Sequence, residues 1–350
     1  MVLEKTELFK NKAVMLSGPQ KIEVKEIKLN PIKDGEILIK VNYVALCGSD
    51  IKLYEGKYLG PHSYPIILGH EWVGKISSIG ENVKGNWNIG DLVTGDCSIY
   101  CDECTLCKEN KNQCDNVEKR GITIDGACAQ YIIENEKYIY HCPKINKHKA
   151  FVLAEPMAVA VQAITNRIEK SKLKKINNAL VLGAGGIGVM SLFVLRELGI
   201  PNITVADIES KKLELISSFN YSNVNTVNMD FKDSIGDLNN CYDLIIEATG
   251  SGEAFKKALI LAERCGTVIC IGHQNYIDLD FGTVIKKSLS VYGSIGGTGG
   301  FEKAIQIIEK NSENISKVIT EIILLDDVEK EFIDGLKISD NIKIVINLQV

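Results

Sequence analysis

Residues 178–199 read NALVLGAGGIGVMSLFVLRELG, and ITVAD follows at 203–207. A short apolar run, a glycine-rich turn, a helical run that stops at Gly199 before Pro201, and a second apolar run make a strand–helix–strand unit. The turn, Gly183-Ala184-Gly185-Gly186-Ile187-Gly188, is G-x-G-x-x-G. Between a strand and a helix such glycines allow a tight turn and close approach of backbone to a pyrophosphate, whose charge the helix N-terminus favours. Asp207 ends the second strand 19 residues beyond Gly188, where a carboxylate accepts hydrogen bonds from a ribose. Its charge repels a 2′-phosphate, and neither Ile208 nor Glu209 is an arginine that could accept one, so NAD is favoured over NADP. A glycine turn in an α/β fold can also bind nothing; the flanking strand, helix and acid argue against that here.

Downstream, CYDLIIEATG (241–250), GTVICIG (266–272) and LSVYGSIG (289–296) supply further buried strands, with helical segments such as GEAFKKALILAERC (252–265) between them. This alternation predicts an α/β unit with a parallel, doubly wound sheet. Cofactor contacts are expected from Gly183, Gly185, Gly186, Ile187, Gly188, Asp207 and Lys212, and from Thr249, Gly250, Ile271, Gly272, Ser294 and Ile295 beyond the later strands. Upstream the texture differs. KIEVKEI (21–27), EILIKVNYV (36–44), EWVGKISSIG (71–80), GDLVTG (90–95) and AQYIIEN (129–135) are short β-branched runs broken by turns, which predict a β-rich domain up to about residue 150. AEPMAVAVQAITNRIEK (154–170) then has apolar residues at helical spacing. After residue 299 two amphipathic stretches, FEKAIQIIEK and DDVEKEFIDGL, precede a last strand, IKIVINL.

A chain of 350 residues is long for one core, so two domains are expected: 1–155, with a loop at 97–115, then 156–296, with 297–350 as a C-terminal return to the first. The net charge of −5 and the lack of a basic run argue against a nucleic-acid partner. MVLEKTELFK has no apolar signal region, and no run approaches the roughly 18–20 apolar residues of a membrane span. We therefore expect no membrane association and a cytoplasmic protein.

The loop between Cys101 and Cys114 reads CDECTLCKENKNQC, placing four of the eleven cysteines at C-x2-C-x2-C-x6-C. Soft thiolates at this spacing predict a closed tetrahedral zinc site of Cys101, Cys104, Cys107 and Cys114, which staples a loop rather than performing chemistry. Free thiols or disulfides are the alternative, and Cys97 is a substitute ligand. A second set is dispersed: Cys47 in LCGSD, His70 and Glu71 in LGHEW, and Glu155 in AEP. A thiolate, an imidazole and a carboxylate with one position open are what a catalytic zinc needs. Singly, each has an ordinary structural reading, as a core thiol, a turn histidine or a helix N-terminal acid.

Taken in order, CGSD, GHEWVG, the four-cysteine loop, AEPMAVAVQA and GAGGIG resemble the zinc-dependent medium-chain dehydrogenases/reductases of the alcohol dehydrogenase superfamily over nearly the whole chain. CGSD and AEP look like the polyol, sugar and threonine dehydrogenase branch, and GHEW with ITIDGACAQY is also similar to 2-deoxy-scyllo-inosamine dehydrogenases. The resemblance implies a GroES-like catalytic domain plus a Rossmann coenzyme domain, two zinc ions per chain, and NAD. It implies that Cys47, His70 and Glu71 hold the catalytic zinc, that Glu155 approaches it directly or through water, and that Asp50 orients His70. Two departures stand out: six residues rather than seven before Cys114, and Lys52 where relatives tend to carry histidine. The expected reaction is reversible oxidation of a secondary alcohol to a ketone, with zinc as Lewis acid, Ser49 as proton acceptor, the NAD ribose or Lys52 as onward carrier, and nicotinamide as hydride acceptor. The small hydroxylated substrate is expected to be a sugar alcohol, a sugar phosphate, an aminocyclitol or threonine, with Tyr54, Lys57, Tyr58 and His62 as candidates to line its pocket, although a loop of exposed polar residues reads the same way. A simple alcohol dehydrogenase, a zinc-free quinone reductase and a non-catalytic zinc- and NAD-binding protein are the competing classes. A homodimer or homotetramer is implied, with LSVYGSIG available to pair across a two-fold axis.

Overall fold

A computed structural model describes residues 10–230, 241–273, 278–337 and 340–349. They fall into two compact units. The first takes the described residues up to Glu155, those from Glu321 to Lys337, and those from Ile344 onward; the second takes Pro156–Thr320 with Asp340–Lys343.

In the second unit the glycine-rich segment forms the predicted strand Asn178–Leu182 and helix Gly186–Glu197, followed by the strand Asn202–Asp207. Six parallel strands run in the order Val224–Asn228, Asn202–Asp207, Asn178–Leu182, Tyr242–Glu247, Ala262–Cys270, Ser290–Gly293. Read by chain position this is 3-2-1-4-5-6, the doubly wound dinucleotide-binding order, whose ligand crevice lies where the order reverses, outside the carboxyl ends of the strands. Leu180, Leu182, Ile245 and Val268 are buried in these central strands because helices cover both faces. The helix expected over 252–265 stops at Leu261, and Ala262 already pairs with Tyr242. Sheet pairing there overrides the helical propensity of the AER segment.

The first unit is β-rich. Its largest sheet orders Ile139–His141, Leu92–Gly95, Glu71–Ile79, Glu36–Ala45, Lys343–Asn347 and Ile319–Leu324, with Tyr131–Asn135 also paired to Glu36–Ala45. A smaller sheet joins Lys21–Ile27, Asn11–Gly18 and Ile66–Ile67. Trp72, Ile39, Val44 and Leu68 pack in its core together with Ile323, Leu325, Val328 and Phe332 from the C-terminal stretch.

The return to the first unit therefore begins at Glu321 and not at 297. The intervening helix, Phe301–Lys317, buries Phe301, Ala304, Ile305, Ile308 and Ile315 along one face within the second unit, where Lys303 and Lys310 both bind Glu197 at 2.7 and 2.8 Å. A strand the sequence reading missed, Ile319–Leu324, separates this helix from the next, Val328–Lys337. Among the described residues no helix is long and apolar enough to cross a membrane.

Candidate functional site

In the first unit, strand pairing brings together residues far apart in the chain. Ala45 is the register partner of Glu71, so Cys47, two residues past the end of the one strand, lies beside His70 and Glu71 at the start of the other. Cys47 caps the short helix Gly48–Tyr54, and its N–H donates to Asp50 Oδ2 at 2.8 Å. Asp50, wholly buried, also accepts from the Gly69 N–H at 3.4 Å and sets its Oδ1 3.7 Å from His70 Nδ1. One carboxylate thus binds the cysteine backbone and faces the histidine ring. Ser49 Oγ lies 3.5 Å from His70 Nε2, while Lys52 one turn on is exposed.

Ligand atoms of Cys47, His70 and Glu71 lie within 4.8 Å of one another, which suits a single ion. Burial works against a charged His70, but Asp50, Cys47 and Glu155 outweigh it and raise its pKa to about 10. A site that would hold a buried imidazolium so strongly is one of excess negative charge. A dication answers that field without the proton, and the mixed thiolate, imidazole and carboxylate set fits zinc with a position open. Glu155, in the first turn of the helix Ala154–Arg167, contributes to the field but is not among the converging donors; its Oε1 accepts from the Cys97 thiol at 3.3 Å. Cys97 is pushed well up, first by burial and then by the Glu155 charge, which keeps it a thiol.

The four-cysteine loop closes on itself. Cys101 Sγ is 3.9 Å from Cys107 Sγ and 3.5 Å from Cys114 Sγ, and all four ligand atoms lie within 4.8 Å. A tetrahedral site with zinc–sulfur bonds of about 2.3 Å spaces its sulfurs at about 3.8 Å, so the cluster fits the ion. Cys114 closes the set despite the shortened loop, its sulfur accepting the Cys101 N–H at 3.4 Å. Backbone N–H groups of Glu103 and Cys104 lower the Cys101 thiol to about 6, favouring the thiolate. Cys97 points instead at Glu155.

In the second unit Gly183 has φ +100°, a conformation that disfavours any side chain. Nothing lies within 4 Å of where a Cβ on Gly185 would stand, which leaves open the approach a pyrophosphate needs. Asp207 Oδ2 accepts from the Ala184 N–H at 2.6 Å and its Oδ1 from the Glu209 N–H at 2.8 Å, so the carboxylate also ties the second strand to the glycine turn.

Two residues that sequence reasoning missed complete this region. Glu247, wholly buried, accepts from the Thr249 N–H at 2.8 Å, from the Thr249 hydroxyl and from the Gly250 N–H at 3.1 Å, while its carbonyl accepts from Ile271 and Gly272 at 2.9 and 3.1 Å. It joins the 249–250 and 271–272 loops expected to meet the cofactor. Lys343, almost fully buried, brings its Nζ within 3.3 Å of where a Cβ on Gly186 would stand. Only its lone charge in the apolar strand IKIVINL could have flagged it. Ser294 N–H donates to Cys270 O at 3.0 Å, holding the chain after the last strand beside the preceding one. Lys212, near the start of the helix Ser210–Ser217, is half-buried.

Residues 33–144 match the alcohol dehydrogenase GroES-like domain, and residues 186–310 match the zinc-binding dehydrogenase domain. The chain is 28% identical to a sorbitol dehydrogenase of Halalkalibacterium halodurans over 89% of this chain and 91% of the relative. It is 29% identical to a D-arabitol-phosphate dehydrogenase of Enterococcus avium over 89% of this chain and 90% of the relative. The crystal structure of L-idonate 5-dehydrogenase from Escherichia coli shares the fold, with a TM-score of 0.87, 22% identity, and coverage of 97% of this chain and 99% of that one. The chain belongs to the zinc-dependent medium-chain dehydrogenases/reductases and is an oxidoreductase acting on CH–OH groups.

Proposed function

We propose that the chain is an NAD-linked dehydrogenase that interconverts a secondary alcohol of a polyol, sugar, sugar phosphate or aminocyclitol with the corresponding ketone. The observation that carries this reading is the convergence of Cys47, His70 and Glu71 on one buried, acid-rich point. The polyol and sugar-phosphate names of its relatives support the substrate class. Asp207 at the end of its strand supports NAD, since a 2′-phosphate beside that carboxylate would be repelled.

Cys47, His70 and Glu71 would hold a zinc ion whose Lewis acidity would ease loss of the hydroxyl proton, and a bound dinucleotide would be the hydride acceptor. Ser49, in reach of His70, takes the hydroxyl proton, and the exposed Lys52 one turn on hands it to solvent. Asp50 faces His70 Nδ1 at 3.7 Å, and its charge favours a ring turned with that nitrogen towards it. Tyr58, half-buried and set edge-on to His62 at 5.8 Å, gives the following loop polar groups for a hydroxylated substrate. At the pyrophosphate turn Gly185 leaves the backbone open and the Lys343 ammonium supplies positive charge. Cys101, Cys104, Cys107 and Cys114 hold a second zinc that braces their loop.

Ser290–Gly293 is an edge strand with Val291 and Tyr292 exposed, followed by the exposed Ile295, and we read it as the seam of a homodimer or homotetramer. The free thiols suit a reducing compartment, so we place the protein in the cytoplasm. The test is NADH formation at 340 nm over a panel of polyols, sugar phosphates, aminocyclitols, threonine and simple alcohols, with and without prior chelation. Activity on one hydroxylated class that chelation abolishes is expected; turnover indifferent to complete zinc removal would overturn the reading.

A further inference from the structure

We propose that Cys97 is a positioning residue: its thiol holds the Glu155 carboxylate off the metal and keeps a coordination position free for the substrate. This rests on the reading of Cys47, His70 and Glu71 as zinc ligands.

The geometry begins with a buried pair. Cys97 Sγ donates to Glu155 Oε1 at 3.3 Å, and each residue is only 6% exposed. The sulfur is itself placed by what lies behind it. Ser98 Oγ is 3.8 Å from Cys97 Sγ and accepts from Lys119 Nζ at 2.5 Å, which leaves the serine proton free to point at the sulfur. The row Lys119, Ser98, Cys97, Glu155 therefore donates in one direction, from the half-buried ammonium to the buried carboxylate. Backbone bonds pin the same segment: the Arg120 N–H donates to Cys97 O at 2.9 Å, and the Ser98 N–H to Asp96 Oδ1 at 2.9 Å.

Glu155 is close enough to His70 to act on its charge, yet it does not join the converging donors. Released from the Cys97 thiol, the Glu155 carboxylate would be a ready ligand for a dication held by Cys47, His70 and Glu71. If it closed the tetrahedron, the site would take the form of a structural zinc rather than a catalytic one. The S–H bond need not match a zinc–carboxylate bond. It has only to offset the preference for carboxylate over water or substrate hydroxyl. No other role is needed for a thiol at this position, since the four-cysteine loop is complete without it.

The test uses the full chain loaded with Co(II) at both sites, whose visible bands report coordination number and thiolate ligation. The catalytic-site spectrum is the difference between the parent protein and its Cys47→Ser variant. Cys97→Ala, and Cys97→Val, which fills the site without the donor, should both shift the d–d bands as Glu155 replaces water on the metal. KM for the alcohol should rise roughly twofold to tenfold, the worth of one hydrogen bond, with a smaller change in kcat. Cys97→Ser, which retains a donor, should keep the parent spectrum, and Glu155→Gln added to Cys97→Ala should restore it. Parent-like bands in both Cys97→Ala and Cys97→Val, or a shift that Glu155→Gln does not reverse, would overturn the proposal. A parent protein with no Cys47-dependent cobalt band would instead sink the metal reading on which it rests.

Discussion

Replacing Gly188 with alanine should unfold the coenzyme unit more easily, whereas replacing Gly185 with alanine should spare stability and cost cofactor affinity. A methyl on Gly188 would run into the Gly183 carbonyl oxygen and stand 2.9 Å from its carbon. Carbon atoms pack comfortably at about 3.5–4.0 Å, so the helix Gly186–Glu197 must move away from the turn by roughly 1 Å. Val189, Met190, Leu192 and Phe193 of that helix are buried and would move with it. Overpacking of this kind costs about 1–3 kcal/mol, set against a gain of up to about 1 kcal/mol from the better helix former. At roughly 2–4 °C per kcal/mol for a domain of this size, Tm should fall by several degrees. Gly185 differs: its φ of −76° and ψ of −176° suit any residue, and nothing lies within 4 Å of the new methyl. Its stability should change by less than about 1 kcal/mol. The methyl would instead fill the space a pyrophosphate needs, weakening NAD binding by about tenfold or more, equivalent to roughly 1.4 kcal/mol. Scanning calorimetry and NAD titration calorimetry separate the two effects. A Gly188→Ala protein with parental Tm, or a Gly185→Ala protein that binds NAD as the parent does, would refute this account of the turn.

Three further outcomes follow from the same geometry. Cys104→Ser should remove one of two zinc ions per chain by elemental analysis and lower thermal stability, because the loop loses its closed ligand set. Asp207→Asn should weaken NAD binding by roughly tenfold to a hundredfold, the worth of charged hydrogen bonds, and narrow the preference for NAD over NADP in a comparison of kcat/KM. Glu197 has its carboxyl lowered by hydrogen bonds to Lys303 and Lys310, so its stabilising effect is complete above about pH 4.5 and is lost as pH falls through the lower folded value. Being partly exposed it is worth only about 0.5–1 kcal/mol, and denaturant titrations should show the gap between parent and Glu197→Gln closing below that pH.

How much of this was written in the sequence depends on whether the determining contacts are local. The turn at 183–188, the strand ending in Asp207 and the thiols at 101–114 are each settled by neighbours a few residues away, and they form as their spacing predicts. Cys47 and Glu71 meet through strand register, with Ala45 opposite Glu71, which spacing does not encode; resemblance to a family supplied that link. Glu247 carries no local mark, because its value lies in bridging loops 249–250 and 271–272 after the sheet has formed. Lys343 and Cys97 were obscure for the same reason, each defined by a partner far off in the chain. The helix Phe301–Lys317 was legible as amphipathic, but not which unit its apolar face would cover.

The most direct measurement of the central claim is the fate of deuterium from a polyol labelled at the reacting carbinol carbon, incubated with NAD and zinc-loaded protein. The account predicts deuterium at C4 of the reduced nicotinamide for the parent protein and almost none for Cys47→Ser. Label transfer by Cys47→Ser at the parental rate would contradict it.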